Sequence, residues 1–273
     1  MTEQAERYDR IAAGYARWWA PIIAPAAVAV LDNVAEAIAS GANRILDIGT
    51  GTGTLPISLL RRWPQVRVTA IDASSGMIEM ARAEADRLLT RDERDRLALR
   101  VAFADDLPLP AGSFDLAVSS FVLQLVPNRF RALREAHRVL VPGGHIAYVT
   151  WLADDRVFAP DADFDGALDE VGIGARESDD RPGDVPSVAS SAAQLRRAGF
   201  SGVHAEAGVL EHSFDVEGYL RFMTEFDEED LVTEMEPGVR CGLEAALRRR
   251  LERRPAAELV LRLPTVTATA TRR

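Results

Sequence analysis

The feature that most constrains the fold of this chain is the segment RILDIGTGTGTL at residues 44–55. A short apolar run contains Asp47 near its end, and glycines follow at every second position, at Gly49, Gly51 and Gly53. Glycine serves where φ must be positive or where a ligand lies directly against the main chain. The segment therefore predicts a buried strand that runs into a tight turn, and this turn is the candidate ligand site.

Downstream of this turn, short apolar strands alternate with helices. Strands are expected at residues 44–48, 66–72, 99–104, 113–123 and 145–151, and helices at 54–63, 75–89 and 129–140, the last ended by Pro142-Gly143-Gly144. Farther along, strands are expected at 203–214 and 263–271, and helices at 190–200, 216–235 and 242–254. Such alternation is typical of an α/β fold, a parallel sheet with helices on both faces.

The first forty residues are expected to form two helices. Aromatic and apolar residues recur at helical spacing in the first twenty residues, and Pro21 is expected to end that helix. The second helix is expected at residues 25–40, with Gly41 as its stop signal. By composition, residues 179–187 are expected to form a loop.

Composition narrows the classes of function that the chain can have. The formal net charge is −10, and all 32 residues counted as lysine or arginine are arginine. A protein that coats nucleic acid neutralises phosphates with surplus basic residues, so we expect no nucleic-acid partner. The single cysteine, Cys241, excludes an intramolecular disulfide and a cysteine-based metal site.

We also expect a cytoplasmic protein that is not inserted into a membrane. The segment MTEQAERYDR is charged and lacks the apolar core of a signal peptide. The longest apolar stretch, around residues 20–30, is rich in alanine and contains Pro21 and Pro25. We expect this stretch to be too short to span a bilayer.

The residues around the glycine turn predict a ligand with a ribose and a cationic amino-acid tail. Asp72 ends the second strand 19 positions after Gly53, where a carboxylate suits the paired hydroxyls of a ribose. Dinucleotide-binding turns follow the pattern G-x-G-x-x-G, but Thr54 occupies the third glycine position, which disfavours a nicotinamide-dependent oxidoreductase. No lysine follows the glycines, and Asp47 would repel a phosphate, so the turn suits an ammonium or sulfonium centre.

Four motifs, in the same order, resemble those of class I S-adenosylmethionine-dependent methyltransferases, specifically the ubiquinone/menaquinone-biosynthesis-like group. They are ILDIGTGTG, VTAIDASSGMIEMAR, ADDLPLPAGSFDLAVSSFVLQLVP and ALREAHRVLVPGGHIAYVTW, and they cover about residues 44–151. The resemblance implies S-adenosyl-L-methionine as cofactor. It also implies a Rossmann-like, mainly parallel seven-stranded sheet with helices on both faces, an N-terminal helical lid and a helical insertion before the last strand.

The resemblance assigns roles to residues by position. Asp47 would face the methionine amino group, and Asp72 would hold the ribose hydroxyls. The remaining implied positions are Gly49, Thr50, Gly51, Thr52 and Gly53 against the cofactor, Ala73 and Met77 beside the adenine, and Ser119 near the methionine moiety.

One position departs from the family pattern. The family commonly has Asp or Asn four residues before the Leu-Pro pair, where it contacts the adenine amine, but here this residue is Phe103. Either the adenine packs against the Phe103 ring with Asp105 as the acceptor, or this edge is bound only by the backbone of Ala104.

The sequence offers weak candidates for a catalytic residue. In the resembling family the N-terminal helix folds over the cofactor, so Tyr15 or Trp19 is expected to line the active site. Gln124, just past the fourth strand, could orient an acceptor by hydrogen bonding, and His212 is a weak candidate for a base. No His/Asp/Glu cluster has metal-ligand spacing, so no metal is predicted.

The expected organisation is one methyltransferase domain over residues 1–273, with a lid at 1–43, a cofactor-binding core at 44–151 and a substrate-shaping half at 152–273. The expected activity is in-line methyl transfer to a small, apolar metabolite. The alternative is a non-catalytic S-adenosylmethionine-binding sensor or assembly protein of the same fold. A homodimer is compatible with the sequence.

Overall fold

The computed structural model describes residues 3–174 and 183–273, and its framework is a seven-stranded sheet. The strands are β1 Arg44–Ile48, β2 Arg67–Asp72, β3 Leu97–Val101, β4 Phe114–Ser120, β5 Leu140–Trp151, β6 Phe200–Ser213 and β7 Val260–Arg272. Their spatial order is β3-β2-β1-β4-β5-β7-β6.

The sheet is mixed and not purely parallel. β1 pairs in parallel with β2 and β4, with Leu46 beside Thr69 and Ala117. β2 with β3 and β4 with β5 are also parallel, whereas β5 and β7 are antiparallel, with Trp151 beside Thr265. The loops that follow the parallel strands meet at one edge, which is where ligands bind in open α/β sheets.

The bounds of β3 to β7 differ from those expected, and β4, for example, ends at Ser120 and not at residue 123. β3 ends at Val101, so residues 102–104 lie in the following loop and not in the strand. β5 begins at Leu140, so Pro142-Gly143-Gly144 lies inside the strand and not ahead of it. The β4–β5 register shifts near the start of β4, and an irregularity of this kind lets a strand accommodate proline and glycine.

The helices surround this sheet in chain order. They are α1 Glu3–Gly14, α2 Ala20–Ala29, α3 Ala35–Ala39, α4 Thr54–Arg62, α5 Ser75–Leu88, α6 Arg91–Arg94, α7 Arg129–Val139, α8 Ala159–Glu170, α9 Val188–Ala198, α10 Val216–Phe222, α11 Glu229–Thr233 and α12 Pro237–Leu251. Short π-helical turns lie at Tyr15–Trp19 and Met223–Asp227, and 3-10 turns at Val30–Val34 and Ala256–Leu259. α9 ends at Ala198, and Gly199, the glycine expected to end it, follows with a φ of 104°.

The N-terminal residues form a continuous helical run, so the expected end at Pro21 is wrong. Pro21 lies in the first turn of α2, where the missing N–H costs little. The π turn Tyr15–Trp19 carries the chain through, because Ala20 N–H donates to the Tyr15 carbonyl. We call Gln4–Ala39 the N-terminal run. By length and composition the N-terminal run could cross a membrane, contrary to the expectation from residues 20–30. Within the protein, 39% of its most apolar 18-residue stretch is buried.

The described residues divide into two compact units. The first comprises the described parts of Met1–Ala153, Gly183–Gly208 and Pro264–Arg273, and the second those of Asp154–Pro182 and Val209–Leu263. The expected single domain over residues 1–273 stays a prediction. The expected loop at residues 179–187 lies partly outside the described residues.

Each unit has an apolar core of its own. In the first unit, the buried apolar side chains of the strands, Leu46 among them, pack against those of the helices. In the second, the rings of Phe158, Phe214, Tyr219 and Phe222 pack on one another, with neighbouring centroids 5.4–6.2 Å apart. These rings lie in residues 152–273, the half expected to shape the substrate site, and they build the core of the second unit.

Candidate functional site

A cavity opens at the carboxyl-terminal edge of β1, β2, β3 and β4, against the N-terminal run. Residues 49–52, 72–74, 102–105 and 120–122 line it from the sheet side. Counting its open mouth, the cavity encloses about 1070 Å³. Because the ends of the parallel strands meet there, this cavity is the candidate ligand site.

The glycine turn forms the floor of the cavity, and φ is 73°, 53° and 90° at Gly49, Gly51 and Gly53. A Cβ at Gly49 would lie 2.2 Å from Val122 Cγ2, so packing as well as φ requires glycine there. A Cβ at Gly53 would meet α5 at 3.3 Å. Of the described atoms, a Cβ at Gly51 would meet only Tyr15 Cε1 within 4 Å, at 3.9 Å, and Gly51 lines the cavity.

Asp47 lies in β1 just before the glycine turn. Its side chain is fully buried, and it is not among the residues that line the cavity, so it lies behind the turn that does. Among the described residues, neither of its carboxylate oxygens has a hydrogen-bond partner, and the hydroxyl of Thr50 has none either. Burial raises the pKa of Asp47 to about 7, opposed by the nearby Thr50 hydroxyl and reinforced by the charge of Asp72. A buried carboxylate without a partner is costly, and a cationic ligand would satisfy it.

Asp72 ends β2 and lines the cavity. One carboxylate oxygen accepts from Gly51 N at 2.8 Å and the other from Ser74 N at 3.0 Å. Desolvation raises the pKa of Asp72, while the hydrogen bonds from Ser74, Gly51 and Ala73 N–H oppose the rise. Each carboxylate oxygen has two lone pairs, so this fixed carboxylate can still accept hydrogen bonds from a ligand.

The expected adenine edge lies in the same cavity. Ala73 and Met77 line it from the start of α5, and Phe103, Ala104 and Asp105 line it from the loop after β3. Both alternatives for this edge, the Phe103 ring with Asp105 or the backbone of Ala104, are compatible with this placement.

Ser119 does not reach the cavity. Its buried hydroxyl donates to the Ile48 carbonyl at 2.7 Å, which links β4 to the end of β1. Side chains alternate between the two faces of a strand, and the next residue, Ser120, lines the cavity instead. A role for Ser119 near the methionine moiety stays a prediction.

Phe121, directly after β4, has φ 54° and is the one non-glycine residue of the described chain with positive φ. Its ring lines the cavity and stacks on Trp151, with centroids 4.0 Å apart. Its carbonyl accepts from Gln124 Nε2 at 2.7 Å, and Gln124 Oε1 accepts from the Thr150 hydroxyl at 2.5 Å. Both ends of the Gln124 amide are thus engaged within the protein, and its role toward an acceptor stays a prediction.

The N-terminal run supplies Tyr8 and Tyr15 to the cavity. The two rings meet edge to face, with centroids 5.8 Å apart. Burial raises the pKa of both phenols above the usual value, so both are protonated near neutral pH, and a catalytic role for Tyr15 stays a prediction. Trp19 packs against Trp151 at 6.3 Å and is not among the residues that line the cavity.

His212 belongs to the second compact unit, where its ring meets that of Phe214 edge-on at 4.5 Å. Burial lowers the pKa of His212, so its imidazole is neutral near pH 7. Its role as a base stays a prediction. Within residues 3–174 and 183–273, no group of three or more His, Cys, Asp or Glu side chains is placed to hold a metal ion.

The seven-stranded sheet with its helices is a Rossmann-like α/β fold of the kind that methyltransferases have. Residues 46–148 match the family model described as a methyltransferase domain. This segment is similar to methyltransferase domains, including those of ubiquinone/menaquinone biosynthesis C-methyltransferases.

Similar proteins carry the same domain. The chain is 36% identical over 180 residues to malonyl-[acyl-carrier protein] O-methyltransferase of Geobacter sulfurreducens, covering 65% of this chain and 63% of that protein. It is 38% identical over 110 residues to the ubiquinone/menaquinone biosynthesis C-methyltransferase of Geobacter sp., covering 39% and 45%. The chain spans 39–63% of the length of these and the other curated relatives it matches.

Solved structures show the same fold. The YcgJ protein of Bacillus subtilis superposes with a TM-score of 0.53 at 19% sequence identity, over 85% of this chain and 92% of that one.

The donor set of the cavity fits S-adenosylmethionine. The orphaned carboxylate of Asp47 suits a positively charged ligand, and the fixed carboxylate of Asp72 suits the hydroxyls of a ribose. Gly51 has no Cβ and lines the cavity, so a ligand can lie against the main chain there. These residues would hold the cofactor.

Some residues that shape the site could not be predicted, because the residues they contact lie far away in the sequence. Val122 fills the space beside Gly49, and Thr150 holds Gln124, but neither pairing has a local sequence signal. Asp9 bonds to residues 65–67 positions away, at the start of α5. Contacts of this separation require the folded sheet, since no spacing rule connects them.

Proposed function

We propose that this chain is a methyltransferase that transfers a methyl group from S-adenosylmethionine to a small, apolar metabolite in the cytoplasm. The observation that carries the proposal is the fully buried carboxylate of Asp47, which has no hydrogen-bond partner among the described residues. A cationic ligand on the glycine turn would give this acid its missing partner, and S-adenosylmethionine carries both an ammonium and a sulfonium.

The residues of the cavity would contribute by positioning. Bound S-adenosylmethionine supplies a methyl group that is already activated by the sulfonium. Asp47 would fix the amino group, and Asp72 would fix the ribose. Good orientation of two reactants contributes roughly 7–11 kcal/mol to lowering a barrier, so in-line displacement needs little further chemistry from the protein.

The acceptor side of the cavity supports an apolar substrate. Ile23 and Ala27 from the N-terminal run and Val122, Leu125 and Val126 after β4 present apolar side chains to the cavity. Such walls exclude water from the reacting atoms and favour an acceptor that buries apolar surface. This lining supports methyl transfer to an uncharged part of a small molecule.

The first part of the test is cofactor binding. Isothermal titration of S-adenosylhomocysteine into the full chain should show binding to the wild type and none to Asp72→Ala. Glu79→Ala, which removes an exposed carboxylate from α5, is the matched control and should bind as the wild type does. Equal binding by Asp72→Ala would contradict the assignment of the site.

The second part is transfer. The protein is incubated with methyl-labelled S-adenosylmethionine and a metabolite extract separated by hydrophobicity. Label should enter an apolar fraction, and Asp72→Ala should abolish it. Binding without transfer into any fraction would instead identify a non-catalytic sensor or assembly protein.

A further inference from the structure

Asp9, in α1, forms a polar contact between the N-terminal run and the start of α5. Its Oδ1 accepts from Ser74 Oγ at 2.6 Å and from Gly76 N at 2.8 Å, and Ser75 Oγ lies 3.5 Å away. Hydrogen bonds to a carboxylate are stronger than neutral ones, and a negative charge at a helix N-terminus is stabilising. The contact therefore holds the N-terminal run on the protein.

The same serine connects Asp9 to the carboxylate proposed to bind the ribose. Ser74 N donates to Asp72 Oδ1 at 3.0 Å, while Ser74 Oγ caps α5 by accepting from Met77 N at 3.0 Å. Ser74 is almost fully buried. A shift of the Asp9 carboxylate would thus release the hydroxyl of Ser74 and loosen the turn that aims Asp72.

Gly76 shows independently that α1 is built to lie against this turn. A Cβ at Gly76 would lie 3.2 Å from both Asp9 Cα and Asp9 O, closer than most side chains tolerate. The backbone of α1 therefore crosses directly over Gly76. Any larger residue would push the helix, and Asp9 with it, away from α5.

We propose that Asp9 is a positioning residue for the cofactor, acting through Ser74 on Asp72 and coupling the docking of the N-terminal run to cofactor binding. The inference rests on the proposed function, in which Asp72 holds the ribose. The coupling has a second route, because the same run brings Tyr8 and Tyr15 into the cavity. Linkage requires the effect to be reciprocal, so the cofactor must also hold the run in place.

The test compares Asp9→Ala, Asp9→Asn and Glu6→Gln in the full chain, by titration with S-adenosylhomocysteine. Asp9→Ala should weaken binding by about five- to 150-fold, the usual range of coupling between two sites. Asp9→Asn should fall between Asp9→Ala and the wild type, because its amide oxygen can accept the same hydrogen bonds without the charge. Glu6→Gln changes an exposed acid on the same helix and should have no effect.

Limited tryptic digestion supplies the reciprocal measurement. The arginines of α1 at Arg7 and Arg10 are exposed, so cleavage there reports release of the run. S-adenosylhomocysteine should slow this cleavage in the wild type and in Glu6→Gln, and much less in Asp9→Ala. A role in folding alone would lower stability without changing this protection.

The outcomes separate the two proposals. If the wild type and Asp9→Ala bind S-adenosylhomocysteine within twofold of each other and show the same ligand protection, the role of Asp9 is wrong while the proposed function stands. If the wild type does not bind at all, the proposed function itself is wrong. Asp9→Asn keeps the test open should Asp9→Ala fail to fold.

Discussion

In the ligand-free protein, burial of the Asp47 carboxylate has a desolvation cost that no hydrogen bond among the described residues offsets. Its folded-state pKa of about 7 lies above the ordinary value of 3.8, because burial disfavours the charge. Between about pH 4 and about pH 7 the folded protein therefore holds a proton that the unfolded chain releases. The contribution of Asp47 to the free energy of unfolding therefore falls as pH rises through that interval, and it levels off above it.

This protonation predicts pH-dependent cofactor binding. The cationic tail of the cofactor needs the ionised carboxylate, so affinity for S-adenosylhomocysteine should rise by about tenfold in all between pH 6 and pH 8. Titration in buffers of different ionisation enthalpy should detect proton release on binding. In Asp47→Asn the pH dependence should vanish, binding should weaken, and the ligand-free protein at pH 8 should gain about 1–3 kcal/mol. The same pH slope in Asp47→Asn would contradict this role.

Gly49 tests whether packing or backbone conformation fixes the first glycine of the turn. Gly49→Ala and Gly112→Ala both place alanine at positive φ, 73° and 63°, but a Cβ at Gly112 has nothing within 4 Å. Both should lose about 1–3 kcal/mol from backbone strain, and Gly49→Ala should lose at least about 1–3 kcal/mol more by overpacking against Val122.

Urea denaturation measures both losses. The double variant Gly49→Ala/Val122→Ala should recover part of the excess, since it removes the two colliding methyl groups of Val122 but keeps its Cβ, 2.8 Å from the new methyl group. Equal losses in Gly49→Ala and Gly112→Ala would show that φ alone selects the glycine.

At the scale of elements, periodicity places the segments of the first unit well and fails where proline and distant contacts decide. The spans of β1, β2, α4, α5 and α7 agree with the expected ones within a residue at each end, because each has one buried face and a clear end signal. Pro21 is read by rule as a stop, yet the π turn before it lets the helix continue. α8 is not among the helices expected from the sequence.

The loop after β4 depends on a side-chain bridge, and this bridge can be tested by a double-mutant cycle. Thr150→Val and Gln124→Met each leave the other partner without its hydrogen bond, and each should cost about 1–3 kcal/mol. The double variant should cost less than the sum by about 0.5–3 kcal/mol, because the pair acts as a unit in holding Phe121 at φ 54°. Additivity within about 0.3 kcal/mol, measured by urea denaturation, would show that the two side chains do not cooperate.

At the scale of the whole molecule, the site was predictable where it is built from consecutive residues. The glycine turn and Asp72 lie on adjacent strand ends, so motif and strand order suffice to bring them together. Ser119 and Gln124 belong to the same region by sequence, but the alternation of β4 and the hydrogen bonds of Gln124 turn them away from the cavity. Side-chain direction after a strand depends on bonds that a linear motif does not contain.

Two compact units predict an uneven response to the cofactor. At a ligand concentration of about 100 times Kd, binding stabilises the folded state by about 2.7 kcal/mol. This stabilisation should appear as slower hydrogen exchange in the unit that contains the cavity. Hydrogen exchange with and without S-adenosylhomocysteine can measure it peptide by peptide. Asp72→Ala should show no gain, and equal protection of both units would contradict the prediction.

The order of the strands has a consequence for biosynthesis. β7 lies between β5 and β6 in the sheet, although it is the last of the three to leave the ribosome. Until it emerges, β6 has no neighbour in the sheet, and the β5 side remains an open edge with unpaired backbone groups. Such edges invite pairing with other chains, so a nascent polypeptide stalled before β7 is the form of this protein most exposed to aggregation and most in need of a chaperone.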